Sequence, residues 1–362
     1  MFEGPGREVL GALRFVPLGL SNPSGSVEVS PIVHSALHQQ VRRTIGRHSL
    51  CPPGTRVMVG LSGGSDSVGL LLLLRDLAES GRFLVISAAH FNHGARPAAD
   101  QDEAFCRNLA ETTGISFIRD GADVPALAAS SGESFEACAR RARYAFLRQA
   151  AARMGADRIA VGHTLDDQAE TFLLKLARGA GSTGLGGVYP RRDDVIRPLL
   201  DVSREAVRTW LRQQGQGWVE DETNADLSNP RNRVRHLVLP ALDAAYGGPT
   251  RAQLANAAEL VREDGQFLDE VAAGRLQALA RYGPEGVVFD ARLLEAEPRA
   301  ILRRLLLHVM REASGGREVG LAHVELALDV LRGESRAADI PGGRWELRGR
   351  TLVLFPQGDR PK

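Results

Sequence analysis

From Thr55 onward the sequence alternates short apolar runs with segments of helical periodicity, and this alternation restricts the fold more than any other feature. RVMVGL, FLVISAAHF, ISFIRD and RIAVGH read as strands, with another short strand at VIRPLL. Helices are expected between them, near residues 67–79, 100–113, 133–154, 165–178 and 204–214. Repeated strand–helix–strand units predict an α/β fold built on a doubly wound parallel sheet. After Pro240 the pattern changes to leucine- and alanine-rich segments at helical spacing, such as RAILRRLLLHVMREA, which predict a smaller, mainly helical domain. IPGGRWELRGRTLVLF then predicts a C-terminal β-hairpin turning at residues 348–350. The expected organisation is an N-terminal extension over 1–53, partly disordered but with a short amphipathic piece near 32–45 that reads as a helix; the α/β domain over 54–240; the helical domain over 241–334; and the hairpin over 335–362.

Composition excludes several classes. At 362 residues, with 43% hydrophobic and 25% charged residues, the chain can bury a sizeable core and fits a globular protein of two domains plus extras. No run approaches the roughly 18 apolar residues of a membrane span, and the N-terminus lacks an apolar core flanked by basic residues. Cys51, Cys106 and Cys138 are widely spaced and form no Cys-x-x-Cys, so no disulfide framework, zinc knuckle or iron–sulfur site is written here. A reducing compartment, by default the cytoplasm, is expected. The net charge of +1 argues against a globally basic polymer binder and leaves room for a local basic face. Lys175 and Lys362 are the only lysines, so the positive charge is arginine, a pattern that suits nucleic-acid contacts and equally a GC-rich genome.

The stretch VMVGLSGGSDSVGL runs a buried strand into a glycine-rich bend and then a leucine-rich helix. Such a bend gathers backbone N–H groups and a helix N-terminus around one point, which suits an oxyanion. Gly63 and Gly64 allow close approach, and Ser62, Ser65 and Ser67 offer hydroxyl donors. Phosphate is the natural guest. A kinase-type loop would carry a lysine; this one carries Asp66, which would repel phosphate directly but can hold Mg²⁺ that bridges to it. The competing local reading is a strand-to-helix turn whose serines cap orphan amides.

SGGSDS after a strand resembles the pyrophosphate loop of the ATP pyrophosphatases, which implies an adenine nucleotide α-hydrolase-like fold, ATP as substrate and departure of pyrophosphate. Four further blocks match one family in order: AAHFNHGARPAADQDE, ESFEACARRARYAFL, GHTLDDQAETFLLKLARGAGSTGLGG, and RPLLDVSREAVRTWL through NPRNRVRHLVLP. Together they resemble the bacterial tRNA(Ile)-lysidine synthetases over about half the chain. The resemblance implies a ligase that adenylates the wobble cytidine of CAU-anticodon tRNA(Ile) at C2, after which the ε-amino group of free L-lysine displaces AMP. It makes 54–240 the ATP-binding catalytic domain and 241–334 a tRNA-binding one, with Arg299, Arg303, Arg304 and Arg311 against tRNA phosphates. Dimers occur in the family, and the sequence does not decide oligomeric state.

His163, Asp167 and Glu170 fall at i, i+4 and i+7 around a helix start, so the two carboxylates share a face that could hold lysine's ammonium. Two plainer readings compete: Thr164 and Asp167 form a capping box, and Asp166 and Glu170 decorate the solvated face. By resemblance Arg143 is a phosphate or transition-state contact, its guanidinium neutralising charge as pyrophosphate leaves. Arg231, Arg233 and Arg235 would meet ATP phosphates or the tRNA backbone. His90 and His93 have metal-like spacing, although a carbonyl-bonded histidine near an adenine pocket is the commoner use. The glycine-rich 179–187 reads as a mobile loop near the base or the lysine. The nearest rival is a tRNA thiolase, which would need cysteines near the loop; a non-catalytic nucleotide- or RNA-binding module is the rival from another class.

Overall fold

A computed structural model describes residues 35–94, 99–220 and 225–356, and the expectations placed on 1–34, 95–98 and 357–362 lie outside those residues. The α/β core is a six-stranded sheet: β1 (Thr55–Gly60), β2 (Phe83–Asn92), β3 (Ser116–Gly121), β4 (Arg158–Ala160), β5 (Arg191–Arg192) and β6 (Val195–Ile196). Its order is β3-β2-β1-β4-β6-β5, all parallel except the edge strand β5. The chain winds outward from β1 through β2 to β3, then returns to the other side of β1 as β4. That reversal opens a crevice at the C-terminal ends of β1 and β4, where doubly wound sheets bind ligands.

The helices of this domain are α1 (Ala36–Arg47), α2 (Ser65–Ala78), α3 (Ala99–Thr112), α4 (Val124–Ser131), α5 (Phe135–Met154), α6 (Leu165–Ala177), α7 (Ser182–Leu185) and α8 (Arg204–Gln213). Leu70 to Leu74 of α2 are all buried, as a helix apolar on every side must be. α2 is covered by the sheet, by α8 and by α1. α5 covers the opposite face with Phe146, Leu147 and Ala150 against Met58, Ile159 and Val161.

Two domain boundaries differ from expectation. The segment 35–53 is not an extension: Leu37, Val41 and Ile45 of α1 enter the α/β core, and His38 Nε2 lies 3.1 Å from Asp76 Oδ2 on α2. Nor is the hairpin a separate unit. It is β10 (Gly343–Arg348) and β11 (Thr351–Pro356), which join β7 (Arg281–Gly283), β8 (Gly286–Asp290) and β9 (Ala337–Ile340) in an antiparallel sheet of order β7-β8-β11-β10-β9. This sheet shares one core with the helices that follow Pro240. Those are α11 (Thr250–Leu279), α12 (Ala291–Glu295), α13 (Arg299–Ala313) and α14 (Leu321–Leu331), preceded by α9 (Pro230–Arg233) and by α10 (Leu239–Tyr246), whose Leu239 packs with Ala169 and Val234. Trp345, Phe289, Leu306, Met310 and Leu328 meet in that core. A short amphipathic hairpin buries only one face, so the helices must supply the other. No described helix is long and apolar enough to cross a membrane.

Gly69 marks the tightest packing between α2 and α8: a Cβ there would lie 2.3 Å from Val207 Cγ1. Gly69→Ala should therefore destabilise the fold by about 1–3 kcal/mol, as overpacking does. The cost should be smaller in a Val207→Ala background, where the clash is gone; equal losses in urea denaturation of both backgrounds would remove this contact as the cause.

Candidate active site

The bend after β1 is built from the expected residues, with one change of role. Gly63 adopts φ +88°, the left-handed region open to glycine. Its carbonyl accepts the Val219 N–H at 2.9 Å. The Ser62 N–H donates to Ser67 Oγ at 3.1 Å, and that hydroxyl donates to Gly64 O at 3.0 Å. Ser67 thus closes the bend rather than serving as a free hydroxyl donor, and it is buried. Ser65 Oγ accepts from Arg208 Nε and donates to Asp66 Oδ1, both at 3.2 Å. No side chain caps the start of α2, so its first-turn amides keep the character of an anion site.

The loop after β4 is pressed against this bend. A Cβ on Gly162 would lie 2.9 Å from the Asp66 carbonyl carbon and 3.0 Å from Ser67 N, an approach only glycine permits. The next residues begin α6 with a capping box: Thr164 N–H and Oγ1 donate to Asp167 Oδ2 at 2.8 and 3.0 Å. The cap leaves Asp167 Oδ1 pointing elsewhere, and Arg204 NH2 meets it at 3.0 Å.

Arg204 is the residue that sequence reasoning missed. It opens α8, and its half-buried guanidinium also reaches Asp66 Oδ2 through Nε at 2.9 Å and Glu170 Oε1 through NH1 at 3.5 Å, while its backbone N–H donates to Asp166 Oδ2 at 2.7 Å. Glu170 is 0% exposed, not on a solvated face. Arg231 Nε meets its Oε2 at 2.8 Å, and Arg235 Nε meets its Oε1 at 2.6 Å. Both arginines project from α9 and the widened π-helical turn Val234–Val238 that follows it. The oxygens of Glu170 are met by guanidinium groups, so Arg231 and Arg235, expected at phosphate, pair here with carboxylates. Arg233 turns away and donates to Leu227 O and Ser228 O, both at 2.8 Å.

The charges hold one another in place. Burial by itself would raise Asp167, but Arg204, His163 and Arg231 outweigh it and hold its carboxyl well below the usual range. Burial raises Asp66, with the Asp167 charge adding to that and Arg204 opposing it. Burial would lower Arg204, and Asp167, Asp66 and Glu170 reverse this and raise it.

Arg143 adjoins His163 and has no carboxylate partner among the described residues. Burial lowers its guanidinium, which stacks over the Tyr144 ring at 5.4 Å. Burial, with Arg197 and Arg143 adding to it, keeps His163 far below the ordinary imidazole value, so it is neutral at physiological pH. His90 Nδ1 is bonded to Leu61 O at 2.9 Å, the carbonyl bond expected of it, and burial with Arg143 lowers His93 to about 4. Among the described residues no group of three or more His, Cys, Asp or Glu could hold a metal. Asp66 offers a single carboxylate at the bend, which fits Mg²⁺ whose other ligands are nucleotide phosphates and water, and not a metal held by protein alone.

Arg299 pairs with Glu325 at 3.4 Å, Arg303 pairs with the same carboxylate, and Arg304 pairs with Asp269 at 2.8 Å. The segment 179–187 contains α7; Arg304 NH2 donates to Ser182 Oγ at 2.9 Å, and just after it Val188 N–H donates to Gln168 Oε1 at 2.6 Å.

Residues 34–242 match the PP-loop domain family. A tRNA(Ile)-lysidine synthase of Geobacter sulfurreducens is 36% identical over 330 residues, covering 90% of this chain and 68% of the relative. The chain belongs to the tRNA(Ile)-lysidine synthase family of PP-loop proteins. A relative of the same name from Thermus thermophilus is 40% identical over 309 residues, 85% of this chain, and one from Symbiobacterium thermophilum is 38% identical over 325. The chain spans 58% of the length of the Thermus protein. The U34-tRNA thiolase NcsA from Methanococcus maripaludis, solved with its [4Fe-4S] cluster, superposes with TM-score 0.54 at 19% identity over 63% of this chain and 78% of that one, a likeness of fold. Membership of the PP-loop family makes this an ATP-binding chain. Cys51, Cys106 and Cys138 are each buried and free, and burial pushes the Cys51 and Cys106 thiols up to about 12, the opposite of a reactive sulfur site.

Arg204→Met should cost about 3–5 kcal/mol, because it leaves buried carboxylates uncompensated. Arg204→Lys should recover part of that in thermal denaturation. The depressed carboxyl of Asp167 stabilises the fold fully above its unfolded value of 3.8, and this contribution is lost as pH falls through the folded value. Between about pH 4 and pH 2, wild-type stability should thus fall more steeply than that of Asp167→Asn, and parallel acid limbs would refute the assignment.

Proposed function

We propose that this chain ligates free lysine to C2 of the wobble cytidine of CAU-anticodon tRNA(Ile). In the first step the cytidine O2 attacks the α-phosphorus of ATP and the bond to pyrophosphate breaks. In the second the ε-amino group of lysine, having lost a proton, attacks C2, and the C2–O bond breaks to release AMP. The observation that carries this reading is the meeting of Asp66 from the β1 bend with Asp167 from the β4 loop on one guanidinium, at the switch point of the sheet.

The roles follow from position. The amides of the bend from Ser62 to Ser67 receive the leaving pyrophosphate, as helix N-termini receive oxyanions. Asp66 would hold Mg²⁺, which when bound neutralises phosphate charge. Arg143, with no carboxylate of its own, is free to stabilise charge at the α-phosphate. His163 is neutral and adds no positive charge to repel the lysine ammonium, whose proton passes to solvent before attack. Asp167 takes the lysine ammonium in exchange for Arg204, while Glu170 anchors Arg231 and Arg235 and so positions Asp167. The unit after Pro240 is the part we assign to the body of the tRNA.

The test combines purified protein, ATP, Mg²⁺, labelled lysine and CAU-anticodon tRNA. Label should appear on the RNA with one AMP and one pyrophosphate per lysine; ADP, or label that stays free, would defeat the proposal. Asp66→Asn should abolish pyrophosphate release, and Arg143→Ala should slow it by roughly 10²–10³. Asp167→Asn should impair lysine transfer more than adenylation. For Glu170→Gln both steps should fall together, since two arginines lose their anchor.

A further inference from the structure

The acidic half of the site is neutralised within the protein, whereas a group of cations beside it is not. Arg140 lies over the Tyr144 ring at 4.9 Å, next to Arg143 one turn further along α5. Arg197, only 4% exposed, follows β6 and donates through NH1 to Tyr189 O at 2.7 Å. Arg192 sits on the exposed edge strand β5, and Lys175 near the end of α6 donates to Gly187 O at 3.2 Å. Like charges adjoin along the whole series. Burial lowers Arg197, with Arg140 and Arg192 lowering it further; burial also lowers Lys175, with Arg192 again adding to it. Among the described residues none of these five cations has a carboxylate partner. The neighbouring acids are turned elsewhere: Asp194 lies 3.5 Å from Arg148, and Asp193 forms the turn between β5 and β6.

A second observation points to a ligand at the inner end of this series. Arg197 Nε, His163 Nδ1 and His93 Nδ1 are buried with no hydrogen-bond partner among the described residues. Leaving such groups unsatisfied is costly, so a site with three of them is completed by something that brings polar atoms. Mutually repelling cations that run from a buried end to an exposed edge suit a chain of negative charges rather than a single ion.

Resting on the proposed function, we infer that Lys175, Arg192, Arg197, Arg140 and Arg143 form the track along which the RNA backbone flanking the target base enters the site. The base is carried inward to the unsatisfied polar atoms, and the α13 arginines, already paired with Glu325 and Asp269, take no part in holding this strand.

The experiment measures affinity of the full chain for a CAU anticodon stem-loop, without ATP or lysine, by fluorescence anisotropy across a range of salt. Arg140→Gln/Arg192→Gln replaces two exposed cations outside the catalytic machinery, and it should make the slope of log K against log salt shallower by about 1.4–1.8, the release expected for two lost phosphate contacts. Nucleotide binding, followed with a fluorescent ATP analogue, should not change. Arg192→Glu should weaken binding more than Arg192→Gln, and Arg299→Gln/Arg303→Gln should leave the slope as it is. An unaltered slope in the α5/β5 variant, or a larger change in the α13 variant, overturns the track while leaving lysine transfer by the wild type standing. Wild-type protein that binds the stem-loop at no salt concentration and transfers no lysine overturns the proposed function itself.

Discussion

The guanidinium of Arg204 meets carboxylates from two other parts of the chain at one point. It takes Asp66 from the bend after β1, Asp167 and Glu170 from α6, and belongs itself to α8. Buried carboxylates brought this close would repel, and at least one would be protonated, unless cations stood among them. Arg204, Arg231 and Arg235 meet that requirement. The glycines serve the same end. Gly162 lets the β4 loop touch the start of α2, and Gly69 lets α8 lie close enough on α2 for its first residue to reach Asp66. Close packing at two glycines thus sets the distance over which one arginine can act.

Such a cluster is weak evidence for stability, since a well-packed apolar core of similar volume would serve as well or better. Its value lies in what it keeps ionised. Asp167 is held charged by its surroundings at a depth where an isolated carboxyl would be neutral, and His163 beside it is held neutral. A charged carboxylate next to an uncharged imidazole is a pair suited to bind an ammonium, since the imidazole brings no competing positive charge.

Much of this was legible in the sequence because it is local. The order of strands and helices, the SGGSDS bend, the Thr164–Asp167 capping box and the carbonyl-bonded His90 each follow from patterns a few residues wide. What was not legible depends on pairings between distant segments. Glu170 looks like a surface residue on a helical wheel, and it is buried because Arg231 and Arg235, 61 and 65 residues later, come to neutralise it. Arg204 did leave a trace. A cation at the first position of a helix sits at the positive end of the dipole, a local conflict that needs a compensating partner elsewhere. Likewise, nothing near Arg299, Arg303 and Arg304 in sequence announces that Glu325 and Asp269 fold against them. The leading helix was assigned to an extension because its apolar stripe, Leu37, Val41 and Ile45, finds its cover only on the finished α/β core.

The separation of charge bears on how substrates reach the site under the proposed function. Anions can approach the unpaired guanidinium groups around Tyr144 without displacing any bond between protein charges. Cations cannot do the same on the other side, because Arg204 already occupies the space between Asp66 and Asp167. A nucleotide phosphate arriving at the bend gives Arg204 an alternative anion, and each hydrogen bond it transfers frees a carboxylate oxygen for a cation. Entry of the negatively charged substrates therefore lowers the cost of admitting the positively charged ones. This ordering needs no moving domain, only an arginine that can exchange one set of oxygens for another within a site whose backbone is already closely packed.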